Sequence, residues 1–188
     1  MTTSVFKISN TKEGAIYPPE QVFWKQDFLY MFTIGGHLVG SEVNYQKLMH
    51  CLKKFNEKCF FILENMGTVI TDREDPFYAK ISVLSNLSDF NNVVNQFDPP
   101  FGFYINDFFI YGENDNWGIY LCECPTINII GCRENYVKDF SEVFNIKGNG
   151  FDSLKDFIGK EYENHPELLQ KLISNYNLYA SKNDKIFT

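Results

Sequence analysis

Three strand-like runs follow one another almost without a gap in the middle of this sequence, and they limit the fold more than any other feature. Residues 103–111 are dense in aromatic and branched side chains. Gly112-Glu113-Asn114-Asp115-Asn116 then gathers the residues that turns prefer. Residues 117–124 form a second apolar run, Pro125-Thr126 a second turn, and residues 127–132 a third run. Connections this short favour antiparallel neighbours, so the centre of the chain is expected to be a three-strand meander.

The flanking segments supply more strands and most of the helices. Residues 27–34 (DFLYMFTI), 59–63 (CFFIL) and 77–84 read as strands. After Ser41, a plausible N-cap, Tyr45, Leu48, Met49, Leu52 and Phe55 recur at helical spacing, with Gln46, Lys47, Lys53 and Lys54 on the other side. Ser88 is expected to cap a short helix carrying Phe90, Val93, Val94 and Phe97, which Asp98-Pro99-Pro100 ends. A third apolar stripe, Tyr136, Val137, Phe140, Val143 and Phe144, marks a helix after the meander. Two more follow, one with Leu154, Phe157, Ile158 and Tyr162, the other starting near Pro166 with Leu168, Leu169, Leu172, Ile173 and Tyr176. The first 26 residues have weak periodicity, and Pro18-Pro19 interrupts them. The expected fold is α+β: one domain over residues 1–188, a largely antiparallel sheet with the central meander, and about five helices packed on it.

Composition narrows the function classes. The aromatic share is 17%, with 19 Phe and 11 Tyr, which excludes a disordered chain. The 19 asparagines alongside many Phe, Ile, Lys and Tyr match an AT-rich coding bias, so the aromatics are weaker functional evidence than their number implies. The formal net charge is −7 and there are only two arginines, Arg73 and Arg133, with the lysines scattered. That argues against nucleic acid as a partner, because phosphate binding needs clustered cations. No apolar run approaches the roughly 18 residues that span a bilayer. The start, MTTSVFKISN, lacks the basic-then-apolar pattern of a secretory leader, and the five cysteines are an odd set. A cytoplasmic protein with reduced thiols and no membrane partner is the expectation.

Each chemical motif has a plainer structural explanation. Gly35 and Gly40 have phosphate-loop spacing, but Ser41-Glu42 stands where that loop needs Lys-Ser/Thr, so the segment reads as a tight turn. Cys122, Cys124 and Cys132 offer three thiolates, yet no second knuckle follows and the histidines are remote. His50 and Cys51 are adjacent on a helix and point about 100° apart, so they do not face each other. Glu113 to Asn116 resembles a calcium loop in composition only. No catalytic residue, metal or cofactor is expected.

What stands out is a long stretch without positive charge. Between Lys80 and Arg133 there is no Lys, Arg or His, while Asp89, Asp98, Asp107, Glu113, Asp115 and Glu123 lie there. Within the meander, Trp117, residue 119, residue 121 and Glu123 share one strand face, read as the core side; Tyr120, Cys122 and Cys124 share the other. Asp107, Tyr111, Glu113, Asp115, Tyr120 and Glu123 are therefore the expected partner-binding residues. Negative charge steers a basic partner and aromatics supply contact area.

Residues 108–131 (FFIYGENDNWGIYLCECPTINIIG) resemble a pattern in small bacterial immunity proteins of polymorphic toxin systems. A polar turn leads into a Trp-Gly-hydrophobic strand, here residues 114–120, and a second hydrophobic strand ends in glycine, here Gly131. The resemblance covers about an eighth of the chain. It implies a small cytoplasmic α+β domain that blocks a basic toxin domain by binding it, without catalytic residues. Two alternatives stay open: a small-molecule-binding domain or enzyme with an aromatic-lined pocket, and a structural or oligomer-forming protein.

Overall fold

In the computed structural model the described residues are 3–9, 11–24, 27–34, 42–66, 75–95, 107–122, 126–148 and 150–176. Eleven elements run in the order β1 (Leu29–Ile34), α1 (Glu42–Lys54), β2 (Cys59–Glu64), β3 (Tyr78–Ser82), α2 (Leu87–Asn95), β4 (Phe108–Gly112), β5 (Trp117–Cys122), β6 (Ile127–Cys132), α3 (Glu134–Phe144), α4 (Phe151–Glu161) and α5 (Pro166–Tyr176). The strands form one sheet in the order β1-β6-β5-β4-β2-β3, and every pair is antiparallel. The expected α+β fold with a meander at its centre is present, as β4-β5-β6. Some bounds shift. The expected strand at 103–111 is β4, which begins at Phe108 and runs on to Gly112, with 103–106 outside the described residues. The 77–84 strand shortens to β3 because a turn starts at Ser82, whose carbonyl accepts from Ser85 N at 3.1 Å.

The sheet has two buried faces, which corrects the expectation of one core side and one open side. Trp117, Ile119 and Leu121 pack with Phe60, Ile62, Phe108, Ile110 and Ile130 under α1, α2 and Phe140 of α3. The alternate residues Phe109, Tyr111, Tyr120, Cys122, Ile127 and Ile129 pack with Tyr30 and Phe32 under α4, α5 and the N-terminal segment. Every residue of β4, β5 and β6 is therefore buried. A strand covered on both faces reads as a continuous apolar run, so alternation cannot tell inside from outside there.

The second cover forms around a trough in the sheet. Gly118 and Gly131 sit opposite each other in register on β5 and β6. A Cβ on Gly118 would lie 2.5 Å from Phe6 Cζ and 2.6 Å from Val5 Cγ1. One on Gly131 would lie 2.7 Å from Phe23 Cε1 and 3.0 Å from Phe28 Cδ2. The two glycines thus leave room for the rings of the N-terminal segment, whose two arms meet in an isolated antiparallel bridge at Phe6 and Phe23. Lys7 N donates to Val22 O at 2.8 Å and Trp24 N to Val5 O at 2.9 Å. Helix α5 locks the same segment from outside. Val22 N donates to Tyr176 Oη at 2.9 Å, Tyr176 Oη donates to Glu20 O, and Asn175 Nδ2 donates to Pro19 O at 2.7 Å. Weak periodicity in the first 26 residues reflects a segment held by shape and side-chain bonds, not by a regular element.

Helix starts follow local chemistry. The cap of α2 is Asn86, two residues before the expected Ser88. Its Oδ1 accepts from Asp89 N at 2.9 Å while Asp89 Oδ2 accepts from Asn86 N at 3.1 Å, a reciprocal box. The end of α3 turns on Asn145, left-handed at φ 53°, with Ile146 N donating to Ser141 O at 2.9 Å. Gly150, at φ 78°, then comes against the carbonyl of Phe32 so closely that a Cβ would strike it. That contact covers the outer strand β1, against which α4 packs. At the opposite margin β3 ends the sheet, and no described strand pairs with its far side. The expected turn at residues 35–41, with its Ser41 cap, the Asp98-Pro99-Pro100 stop and the last eight residues all lie outside the described residues.

Candidate functional site

The structure separates the six expected partner-binding residues. Tyr120 is fully buried and Asp107 is 4% exposed, so neither side chain can meet a partner. Tyr120 Oη donates to Asp107 Oδ2 at 2.6 Å, and Asn65 Nδ2 donates to Tyr120 Oη at 2.8 Å and to Ile16 O at 3.0 Å. Asn65 N also donates to Asp107 O at 2.9 Å. This network joins the ends of β2, β4 and β5 to the N-terminal segment. Burial, then the Asp107 charge, holds the Tyr120 hydroxyl far above its ordinary range, so it stays a donor. Tyr111 is 7% exposed, with burial pushing its hydroxyl up to about 12. Glu123 lies outside the described residues. Of the five described, only Glu113, exposed, and Asp115, half-buried, reach solvent, at the β4–β5 turn, where Asp115 takes a left-handed φ of 54°. Among the described residues the acidic surface expected along the meander is thus confined to its turn, because Asp107 is used inside.

That turn is anchored by a buried carboxylate. Glu57, 5% exposed, accepts from Trp117 Nε1 at 2.9 Å and from Glu113 N at 3.0 Å. A Cβ on Gly112 would collide with the Glu57 carboxylate, and would sit 2.5 Å from Trp117 Nε1. Burial pushes the Glu57 carboxyl above its ordinary value, against the pull of the Trp117 and backbone donors. The Trp117-Gly118 pair of the resembling pattern therefore has two structural duties: the indole ties down Glu57, and the glycine admits Phe6.

Beside the turn, β2, β3 and β4 bring together side chains far apart in sequence. Phe61 stands directly across from Tyr111 and diagonally from Tyr78. The rings of Tyr111 and Phe61 are 5.3 Å apart at 27°, and those of Phe61 and Tyr78 6.0 Å apart at 13°. Lys80 Nζ lies 5.5 Å from the Phe61 ring and 3.3 Å from Glu113 Oε1. The Cys59 thiol and the Lys80 ammonium hold the Glu113 carboxyl below its ordinary value. Burial and Glu113 push the Cys59 thiol up to about 11, so it remains protonated and is no nucleophile at neutral pH. The arrangement offers binding chemistry: a ring stack that reaches the sheet margin, framed by a cation and two carboxylates. Phe61, Tyr78 and Lys80 are absent from the residues singled out in the sequence. A signal existed in residues 78–83, where Tyr, Lys and Ser alternate with Ala, Ile and Val, the period of a half-exposed strand.

Other features carry less. A groove of about 390 Å³ runs between α1 and α3, lined by His50, Cys51, Lys54, Asp139 and Glu142 among others. Lys54 is paired to Asp139, and burial, reinforced by Asp139, pushes the Cys51 thiol up to about 12. A second hollow of about 270 Å³ lies on the other side of α1, beside Tyr45 and Asn86. Cys122 and Cys132 belong to opposite faces of the sheet, so they cannot ligate one ion together, and Cys124 lies outside the described residues. Among the described residues no three His, Cys, Asp or Glu side chains are grouped to hold a metal, and no helix is long and apolar enough to cross a membrane.

Comparison with protein-family models, with curated proteins and with solved structures finds no match.

Proposed function

We propose that this chain is a non-catalytic bacterial interaction protein, an immunity protein that neutralises a toxin domain by binding it. The observation that supports the reading is the ring stack Tyr111-Phe61-Tyr78, which crosses three strands and reaches β3, the last described strand of the sheet, beside Glu113 and Asp115. Interfaces gain most of their energy from aromatic anchors that lose water on contact, with charged residues at the rim. The chain's net charge of −7 favours a basic partner and speeds encounter with it. The partner-facing set on this reading is Phe61, Tyr78, Lys80, Glu113 and Asp115, in place of the buried Asp107, Tyr111 and Tyr120.

The test is association kinetics between the purified chain and the product of a toxin gene next to its own. Removing rim charge with Glu113→Gln and Asp115→Asn should slow association by several-fold and flatten its dependence on salt. Asparagine is the right replacement at residue 115 because it tolerates the left-handed backbone there. Lack of a neighbouring toxin, or of binding at low salt, defeats the reading.

A further inference from the structure

Strand β3, at the margin of the described sheet, offers a way to hold such a partner. Val83 N donates to Lys58 O at 3.0 Å and Glu64 N to Phe77 O at 2.9 Å. In the β2–β3 register these bonds make 60–81 and 62–79 the hydrogen-bonded pairs. The N–H and C=O groups of Tyr78 and Lys80 consequently point away from β2, out of the sheet. Among the described residues no strand lies there to receive them.

The ring stack ends at the same place. Tyr111, Phe61 and Tyr78 follow the strand order β4-β2-β3, and the last ring, Tyr78, is 37% exposed. A further strand about 4.8 Å out would set one more side chain against it. Lys80 decides against a second copy of this chain as the occupant. Two-fold antiparallel pairing centred on it would bring two ammonium groups directly opposite each other, the device by which open strands avoid self-pairing.

We propose that β3 accepts an extended segment of the partner protein as a seventh strand. The segment hydrogen-bonds to the main chain of Tyr78 and Lys80 and stacks an aromatic or branched side chain on Tyr78. It is neutral or basic, because the chain carries a net charge of −7 and the cation on β3, Lys80, is already paired with Glu113 at 3.3 Å. This rests on the binding role proposed above and assigns its mode.

The probe is a displayed library of random peptides, panned on the full chain, followed by synthesis of the tightest binder with each amide N-methylated in turn. Strand addition predicts losses of about tenfold or more at every second residue and little change between them. Lys80→Pro, which removes an outward N–H without touching a β2 bond, should abolish binding, whereas Lys80→Gln should retain it. Tyr78→Ala serves if the proline variant does not fold, and should weaken binding by about tenfold. No enriched peptide, helical spacing of the sensitive amides, or a dimer by sedimentation that Lys80→Pro dissolves would each overturn the proposal. A toxin that binds unaffected by Lys80→Pro also overturns it, while leaving the immunity role standing. A peptide with the two-residue pattern alongside no toxin binding supports strand addition and removes the immunity role.

Discussion

Substituting Gly118 by alanine tests the trough in the sheet at the level of single atoms. The added Cβ would meet Phe6 Cζ at 2.5 Å, Val5 Cγ1 at 2.6 Å and Phe6 Cε2 at 2.7 Å, all below any normal carbon contact. Val5 and Phe6 are 0% and 1% exposed, so they have no free space to retreat into. Two outcomes bound the cost. If the rings shift and stay docked, overpacking costs about 1–3 kcal/mol. If Val5 and Phe6 leave the sheet, the loss of two buried side chains costs about 3–6 kcal/mol. Gly159→Ala is the control of opposite sign: it lies inside α4, nothing stands within 4 Å of its Cβ, and the change should stabilise by about 0.5–1 kcal/mol. Urea unfolding measures both. Amide exchange at Lys7 and Trp24, whose bonds tie the two arms of the segment, separates shifting from release. A Gly118→Ala chain within about 0.5 kcal/mol of the parent would refute the trough, because that is the range of an uninvolved surface site.

Further predictions address the polar interior. Tyr120→Phe strips Asp107 and Asn65 of a shared buried partner and should cost about 1–3 kcal/mol in urea unfolding. Tyr45→Phe should be neutral or stabilising, since Tyr45 Oη is buried without a hydrogen-bond partner among the described residues; a loss of stability would contradict that. Asn86→Ala breaks the α2 cap and should cost about 1 kcal/mol, read as a lowered thermal midpoint. Glu57 gives a pH effect of uncommon sign. Its folded carboxyl has a raised pKa, so the unfolded state releases the proton first as pH rises. Its contribution is therefore most favourable below about 4.5, the ordinary carboxyl value, and declines as pH climbs through the raised folded pKa. Glu57→Gln should remove that slope from the stability profile. A profile identical to the parent's between pH 4 and 7 would count against the assignment.

The sequence made the architecture legible where spacing alone sets it. Short turns at residues 112–116 and 125–126 leave little choice but a meander, and the apolar stripes of α1 and α3 emerge from their helical period. Order across the sheet was not legible, because β1 pairs with β6 across about a hundred residues that contain no spacing signal. Nor was the use of the acids. Asp107 and Glu113 are alike as letters, yet one is sealed beneath Tyr120 and the other stands in solvent, a difference created by the N-terminal segment covering the second face. The ring stack was hidden for the same reason: Phe61, Tyr78 and Tyr111 become neighbours only through strand register.

The glycine trough also imposes an order of events on the growing chain. Val5, Phe6, Phe23, Phe28, Tyr30 and Phe32 are synthesised before the surface that receives them, which is made by β5 and β6 at residues 117–132. Until those strands leave the ribosome, this ring-rich segment lacks the surface it docks on. Contacts of such long sequence separation form slowly, and exposed apolar rings are prone to association in the interval. A nascent chain halted before residue 117 should therefore bind chaperones through its first 34 residues, and one released past residue 132 should let them go.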